Sequence, residues 1–522
     1  MNRIILFFLF SGTWFSLFAQ DDVDPKLADQ KFLAENYTDA LEDYLSLLEK
    51  DPKSEKYNFR VAVCYLNTEI SKAKAVPYLE IVTRMSKYDP DAMYLLGRAY
   101  HFAYRFDDAI KCYQQYKLTG KGTPENLKDV DQQIQYCFNA KELMKFPLNV
   151  TFENLGKDVN SEYADYFSFV PADESFLVLS TRRPETGMEK NEDGTYPASI
   201  FMSKASHAVF QKAKSLGEPI NTNKGDAEVI GLSAKGDIML IYYKNFKGDD
   251  DIYISYADKN GNFKKAERLP DNINSAKGAE IAASLSSDGN TIFFASYRPG
   301  GLGGTDLYVC KKLPNGTWGP AVNLGPQINT PLNEDFPNIS PDGKTLYFSS
   351  SGHTSMGGYD IFRAEWDESS QTFVNPKNIG YPINTPEDNY NFRISATGRY
   401  GYVAACLPDK GIGDLDIYRV TFNDVEPQYT VVRGNIAPAD SAKNLSYADV
   451  FITVTDTKSG EIYGNYTANP NSGNYVIILP PGTYTISVES AGFKTVVEKL
   501  DVLDKNSFKH EISKDIRLSA EG

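Results

Sequence analysis

Short apolar runs rich in aromatic residues alternate with polar turns over residues 149–423, and the pattern repeats five times. Two landmarks carry the repeat. The first is Ile-Asn-Thr or a close variant, centred on Asn160, Asn221, Asn274, Asn329 and Asn384. The second is Asp-Ile-Tyr or a close variant, beginning at Ser199, Asp251, Asp306, Asp360 and Asp416. Two landmarks that stay in phase at a fixed period indicate a radial or stacked array.

One period, residues 333–380, shows the pattern most clearly. Runs at 336–340, 345–349, 359–364 and 373–380 have the length of short strands, and none has helical spacing. The pair Asp342-Gly343 separates the first two runs, and it is a strong hairpin signal because glycine adopts positive φ. Four short antiparallel strands per period predict one blade of a β-propeller.

The two ends of the repeat region predict how the ring closes. The last period ends near residue 423 without a fourth strand, whereas residues 149–156 look like the fourth strand of a period. We therefore expect the strand around Phe152 to complete the final blade. This gives a five-bladed β-propeller over residues 149–423.

Two short motifs of the repeat resemble the PD40 family of WD40-like propeller repeats. They are Ser-Pro-Asp-Gly-Lys at 340–344 and Gly-Gly-Tyr-Asp-Ile at 357–361. The first two periods depart from the family, because 172–174 and 234–237 replace the Asp-Gly turn. The recurring aspartates of the second landmark are expected to accept hydrogen bonds between strands, which is a structural role.

Residues 24–146 have helical spacing and a repeat of their own. Small residues recur 34 or 35 positions apart, at Ala28, Ala62 and Gly97 and again at Ala40, Ala75 and Ala109. This pattern resembles the tetratricopeptide repeat, in which paired helices stack into an array. The resemblance implies a concave face that binds a partner's peptide segment, lined by Asn67, Tyr94, Arg98, His101 and Phe102. The alternative is that these residues are ordinary parts of a solvated surface.

The C-terminal region, residues 429–518, has a third pattern. Alternating runs about ten residues apart predict a small β-sandwich. Leu-Pro-Pro-Gly-Thr-Tyr at 479–484 resembles the carboxypeptidase regulatory-like domain, a non-catalytic module. The predicted fold class is therefore multidomain, with an α-helical tetratricopeptide array, a five-bladed β-propeller and a small β-sandwich.

The net charge and the N-terminal sequence together indicate the cellular compartment of the protein. The chain has 54 Lys and Arg against 69 Asp and Glu, so we expect repulsion from nucleic acid and anionic lipid. Arg3, an apolar run at 4–10 and the small residue Ala19 predict a cleavable signal peptide over residues 1–19. That run is too short to span a bilayer, and no later segment is long enough. We expect a soluble exported protein of the periplasm.

The five cysteines, Cys64, Cys112, Cys137, Cys310 and Cys406, cannot all pair within one chain, and none shows Cys-x-x-Cys spacing. We expect them to be buried as small apolar residues. A Cys112–Cys137 bridge in an oxidising compartment is the alternative.

No motif in the sequence predicts an active site. There is no Gly-x-Ser-x-Gly elbow, no zinc-peptidase motif and no glycine-rich phosphate loop before a helix. His353 lies in a repeat loop, which favours a structural role over a catalytic one. Asp249-Asp250-Asp251 favours a polar loop over a calcium site, since calcium needs six to eight oxygen ligands. We predict no enzyme activity, no cofactor and no metal.

The order of the three regions resembles a family of exported envelope proteins of Bacteroidetes-type bacteria, the PorE type associated with the type IX secretion system and gliding machinery. That family usually continues into an OmpA-like domain that grips peptidoglycan, and this sequence stops about where that domain would start. The resemblance implies a scaffold at the outer membrane whose partners are outer-membrane proteins or lipoproteins of a secretion or motility complex. The alternative is a periplasmic receptor whose propeller binds a glycan or a peptide.

Overall fold

The structure is a computed structural model that describes most of residues 23–521. The residues left out within that range are 207–208, 223–224, 246–249, 396–397, 408–409, 425–428, 441–443, 481, 503–508 and 510. The predicted signal peptide at 1–19 lies outside the described residues.

Seven α-helices form a layer in the N-terminal part of the described chain. Asn36, Ser54 and Thr123 cap three of them by accepting main-chain N–H groups of the first turn. Within the described residues, no helix has the length and apolarity needed to cross a membrane. The helices are α1 (Pro25–Leu33), α2 (Tyr37–Lys50), α3 (Glu55–Leu66), α4 (Val76–Thr83), α5 (Asp91–Phe102), α6 (Phe106–Thr119) and α7 (Pro124–Leu143).

The predicted fold class, which begins with a tetratricopeptide-repeat array, is wrong. The described chain is mostly β, and the helices supply one small layer. The predicted second repeat unit fails, because a 3-10 turn at Lys72–Ala75 is followed by an eight-residue α4 with Pro77 in its first turn. Small residues do lie at helix crossings, as at Gly97, where a Cβ would come within 2.6 Å of the Tyr113 ring. Close helix packing accounts for that periodicity without an array.

Strand β1 (Val150–Asn154) leads into five small antiparallel sheets. The first contains β2 (Asp165–Phe169), β3 (Phe176–Thr181), β4 (Ser199–Ser206), β5 (Val209–Phe210) and β6 (Lys214–Ser215). The second contains β7 (Gly225–Leu232), β8 (Ile238–Asn245), β9 (Asp250–Tyr256) and β10 (Glu267–Arg268). The third contains β11 (Glu280–Leu285), β12 (Thr291–Ser296), β13 (Asp306–Lys311) and β14 (Val322–Asn323).

The last two sheets of this region repeat the same order. The fourth contains β15 (Glu334–Ile339), β16 (Thr345–Ser350), β17 (Asp360–Asp367) and β18 (Thr372–Asn378). The fifth contains β19 (Arg393–Ile394), β20 (Tyr400–Ala405) and β21 (Asp416–Phe422), with β1 as its outer strand.

The five sheets form a closed ring. Neighbouring sheets contact through their first strands, β2 with β7, β7 with β11 and β11 with β15, and β2 also contacts β20 of the fifth sheet. Between the fourth and fifth sheets, Arg393 donates to the Pro337 carbonyl at 3.0 Å. At the centre, the rings of Phe167 and Phe336 lie 4.9 Å apart. This is the architecture of a β-propeller, in which each sheet is a blade around a central axis.

Strand β1 closes the ring. It pairs antiparallel with β21 over five residues, and Phe152 lies opposite Val420. The prediction that the strand around Phe152 completes the final blade is confirmed. Because main-chain hydrogen bonds join the two ends of the repeat region, the last blade has its fourth strand and no exposed edge on β21.

The two sequence landmarks of each period meet through a buried asparagine. In every blade the asparagine Oδ1 accepts from a main-chain N–H of the third strand, and its Nδ2 donates to the carbonyl of that same residue. The pairs are Asn221 with Ile200, Asn274 with Ile252, Asn329 with Leu307, Asn384 with Ile361 and Asn160 with Ile417. The fixed phase of the landmarks therefore reflects one recurring hydrogen-bond pair.

Two further small sheets at the C-terminal end share one core, in which Val432, Ile452, Ile477 and Ile486 are fully buried. One contains β22 (Thr430–Pro438), β25 (Asn474–Leu479), β28 (Glu511–Ser513) and β29 (Ile516–Leu518). The other contains β23 (Phe451–Asp456), β24 (Ile462–Thr467), β26 (Gly482–Glu489) and β27 (Val496–Val502).

These C-terminal sheets cover one face of the propeller, which we call the closed face. Ala172 and Ala234, in the turns that follow β2 and β7, pack with Val431 of β22. Tyr429 donates to Asp342, in the corresponding turn of the fourth blade, at 2.7 Å. Lys235, next to Ala234, donates to the Thr467 carbonyl of β24 at 3.0 Å. The contact therefore combines apolar packing with hydrogen bonds.

All five cysteines are free. Four are buried and Cys406 is half-buried, so the alternative of a Cys112–Cys137 bridge is not formed. Burial raises the pKa of the Cys137 thiol to about 12, which keeps it protonated.

Candidate functional site

The helical layer stands on the face of the propeller opposite the C-terminal sheets, which we call the open face. His101 of α5 lies with its Nε2 2.8 Å from the carbonyl oxygen of Met356, in the glycine-rich loop of the fourth blade. Asn139 of α7 donates to the Ser355 carbonyl of the same loop at 2.8 Å. These contacts fix one side of the layer over the fourth blade.

Beyond that anchor, a cleft of about 1470 Å³ separates the layer from the open face. Its helical wall comes from residues 67–73 and 102–104, and its propeller wall includes 162–167, 193–196 and 382–391. The far end narrows where the backbone of Gly194 lies against the Asn36 side chain. The cleft therefore runs from the fifth blade across the axis to the first blade.

A charged group lies at the mouth of the propeller axis, on the floor of the cleft. Tyr166 donates to Glu228 at 2.7 Å, and Arg182 lies 3.9 Å from the same carboxylate and 3.4 Å from Asp226. Burial raises the pKa of Glu228, although the Tyr166 hydrogen bond and the Arg182 charge oppose this rise. With one guanidinium between two carboxylates, the group has no excess of positive charge.

Two buried polar acceptors lie in the first strands of the fourth and fifth blades or next to them. Asn391 lines the cleft at a φ of 54° and is 4% exposed, and its Oδ1 has no hydrogen-bond partner among the described residues. Asp335, next to the axial Phe336, accepts from the Phe336 main-chain N–H at 2.7 Å. Burial raises the pKa of Asp335 to about 7. Among these groups, the Asn391 Oδ1 is the acceptor that lines the cleft without a donor among the described residues.

The helical wall offers aromatic surface and a cation that is already paired. Lys72 Nζ lies 2.6 Å from Glu387 of the propeller and 5.7 Å from the ring centroid of Phe102. Burial raises the pKa of Glu387, and the Lys72 charge opposes this rise. Tyr104 is 41% exposed beside these residues. Lys72 thus ties the two walls together.

The five residues predicted to bind a partner are divided between the cleft and the interior. Asn67 and Phe102 line the cleft. Partner binding by these two residues stays a prediction, and the cleft is where it would occur. Tyr94 is buried and donates to Asp129 at 2.6 Å, and His101 is buried against the propeller loop. Arg98 lies over the Phe102 ring at 5.2 Å, and the structure does not bring it into the cleft lining.

His353 occupies a structural position. Its Nε2 lies 2.8 Å from the Ile328 carbonyl oxygen, and its ring packs against Phe348 and Phe362. The imidazole thereby joins two neighbouring loops of the ring and is part of the repeat packing.

The recurring aspartates were expected to accept hydrogen bonds between strands, and in the structure several of them accept main-chain N–H groups of the loop that precedes them. Asp306 accepts from the main chain of Leu302, and Asp360 accepts from that of Met356. Asp251 instead pairs with Arg268 at 2.6 Å. Asp249 of the calcium alternative lies outside the described residues, and no group of metal ligands was found among the residues that are described.

No protein-family model matches the chain, and no curated protein matches it. Among solved structures, TolB from Acinetobacter baumannii is 13% identical over 51% of this chain, with a TM-score of 0.30. The match covers 56% of TolB, so the chain spans just over half of that protein's length.

Two further solved structures cover more of their own chains. A glycoside hydrolase is 8% identical over 55% of this chain and 95% of that chain, with a TM-score of 0.38. A thermostable family-43 glycoside hydrolase is 14% identical over 51% of this chain and 91% of that chain, with a TM-score of 0.34. All these scores are low, so the class of the protein is read from its own ring of sheets.

That ring makes the chain a β-propeller protein. It carries a helical layer on its open face and two small sheets on its closed face. The cleft between the helical layer and the axis mouth is the candidate functional site.

Sequence reasoning missed the propeller half of this site. Glu228 lies in the middle of β7 and Asn391 lies two residues before β19. Tyr196 lies near the end of a long irregular loop that replaces the glycine-rich loop of later blades. That departure from the repeat was the available signal. A residue that departs from a structural repeat does not make the repeat's usual packing contacts, so it is a candidate for a functional role.

Proposed function

We propose that this chain is a non-enzymatic scaffold of the cell envelope that binds other proteins, and that the cleft is a docking place for a partner segment. The observation that carries the proposal is the size of the cleft. Its volume of about 1470 Å³ exceeds the roughly 300–1,000 Å³ of ordinary small-molecule pockets. A space of that size suits an extended polypeptide better than a small metabolite.

Sequence features support the compartment and the partners. The predicted signal peptide at residues 1–19 supports export to the periplasm. The resemblance to the PorE type supports association with the outer membrane and with type IX secretion or gliding machinery. The partners would then be outer-membrane proteins or lipoproteins of that machinery, and the proposal includes no cofactor and no metal.

A second candidate function is a periplasmic receptor whose propeller binds a glycan or a peptide. The observation that favours it is the floor of the cleft, where the Glu228 carboxylate and the Asn391 amide lie beside the axis. Grouped hydrogen-bonding side chains of this kind are typical of sites that orient a polar ligand.

Site-specific photo-crosslinking in the native cell envelope tests the scaffold function. A benzoylphenylalanine at Tyr196, in the cleft, should form adducts with envelope proteins. The matched control carries the same group at Phe451, which is 60% exposed on the C-terminal sheets. The scaffold proposal is wrong if both positions give the same adducts. A saturable thermal shift with cell-wall glycan fragments, without cleft-specific adducts, would favour the receptor.

A further inference from the structure

The cleft is far more acidic than the chain as a whole. Ten carboxylate side chains and three cationic side chains line it, a formal surplus of seven negative charges. The whole chain has 69 acidic and 54 basic residues, so the ratio in the cleft is well above the average. Acidic walls around a concave space raise the local concentration of cations.

Two of the three cations are committed within the fold. Lys72 pairs with Glu387 at 2.6 Å, and Arg182 lies between Asp226 and Glu228. Lys190 lies 5.8 Å from the ring centroid of Tyr196. The remaining carboxylates include Glu69, Glu162 and Asp414, which are exposed around the rim.

A second, independent observation comes from the axis mouth. The Asn391 side chain is nine-tenths buried, and its Oδ1 lacks a donor among the described residues. A buried acceptor without a donor is destabilising. An N–H group of a ligand that reached the mouth would supply that donor, beside the carboxylate of Glu228.

Aromatic side chains add surface that suits the same ligand. Tyr163 and Tyr196 pack edge to face with centroids 5.8 Å apart on the propeller wall. Phe102 and Tyr104 lie on the helical wall. Aromatic faces attract ammonium and guanidinium groups and also bind the apolar stems of lysine and arginine.

We propose that the cleft binds a basic, extended polypeptide segment, and that one lysine or arginine side chain enters the axis mouth between Glu228 and Asn391. This inference rests on the proposed docking function of the cleft and names the chemistry of the segment. Charge complementarity favours basic segments and raises their association rate, and the axis mouth gives specificity for one side chain.

Peptide binding to the full chain, followed by fluorescence anisotropy, tests the inference. The probe is a fluorescein-labelled peptide of three Lys-Ser-Tyr-Ser repeats, and matched peptides carry glutamine or glutamate in place of lysine. We expect the lysine peptide to bind at least about tenfold more tightly than the glutamine peptide, and the glutamate peptide not to bind. The affinity should fall as salt rises, because exposed charges are screened.

Two matched triple variants locate the effect. Glu69→Gln with Glu162→Gln and Asp414→Asn neutralises the rim and should weaken binding about tenfold. Glu461→Gln with Glu489→Gln and Asp501→Asn makes the same change of net charge on the C-terminal sheets and should change affinity less than about twofold. Because all six side chains are exposed, both variants should fold. Equal effects of the two triples would overturn the cleft as the binding place.

The outcomes separate this inference from the docking function. Equal affinity for the lysine and glutamine peptides would overturn the cationic preference, while cleft-specific crosslinks from Tyr196 would keep the docking function. Spermine that binds as tightly as the lysine peptide would overturn the polypeptide class of the ligand. No binding by any peptide, together with no cleft-specific crosslink, would overturn both.

Discussion

The two faces of the propeller are both covered, but in different ways. On the closed face, small apolar side chains such as Ala172 and Val431 meet directly. On the open face, Met356 of the ring enters the apolar core of the helical layer at one side, and beside this contact hydrogen bonds and an ion pair flank a cleft of about 1470 Å³. Apolar contact excludes water and fixes a part in place, whereas a polar cleft keeps hydrated groups ready for a ligand. The closed face therefore serves to attach the C-terminal sheets, whereas the open face also contains the candidate functional site.

A charge on the closed face should have the largest effect. Ala172→Asp places a carboxylate in the apolar contact, and burying it without a partner costs on the order of 3 kcal/mol or more. We expect the C-terminal sheets to come away from the ring, which small-angle scattering would record as a larger radius of gyration. Ala172→Ser is the control and should keep the compact shape. An unchanged radius in the Asp variant would show that this contact does not hold the sheets.

Acid should loosen the open face through His101. Burial lowers the pKa of His101 from 6.5 to about 4, so the folded state holds the neutral imidazole and the unfolded state gains a proton first. Its stabilising effect is complete above pH 6.5 and is lost as the pH falls toward 4, an effect on the order of 3 kcal/mol. We expect His101→Gln to remove that part of the pH dependence.

Denaturant unfolding at pH 7 and at pH 4.5 measures the effect as a difference between wild type and variant. The loss of unfolding free energy on acidification should be smaller in His101→Gln than in the wild type. Parallel losses in both proteins would mean that His101 does not sense the pH. His353, which is half-buried, offers the comparison variant His353→Gln.

The ion pair that bridges the cleft should matter least. Lys72 and Glu387 have side-chain exposures of 18% and 38%, so solvent screens their attraction and we expect Lys72→Ala to cost about 1 kcal/mol. Hydrogen exchange should rise in the helical layer and stay unchanged in the C-terminal sheets. Lys56→Ala removes the more exposed pair with Asp29 and should have a smaller effect. Faster exchange on the closed face would contradict the separation of the two faces.

Much of the ring was predictable from the sequence because its repeat is also its hydrogen-bond pattern. Asn329 and Asn384 recur since each must bridge a third strand, and Phe152 was recognisable as the missing strand of the last blade. Local rules of this kind depend on neighbours within one period. They remain visible in a single sequence.

The helical layer and the cleft were less accessible to sequence reasoning. The spacing of Gly97 and related residues reflects close helix crossings. Such crossings occur in many helical folds, so this spacing alone does not identify a repeat array. Arg98 and His101 were expected on an outward face, yet His101 meets Met356 more than 250 positions away. A contact between two regions with different sequence patterns produces no periodicity in the sequence. The walls of the cleft come from two such regions, so the cleft could not be predicted from periodicity.

Strand β1 also has a mechanical consequence, because it joins the helical layer to the ring. It follows the end of α7 after a few residues and pairs with β21 over five residues. Tension on anything held by the helices would reach the propeller lengthwise along this strand, so the five pairs would bear the load together instead of peeling apart in turn. The pairing of one short strand is therefore one of the contacts that set the force at which the ring would open.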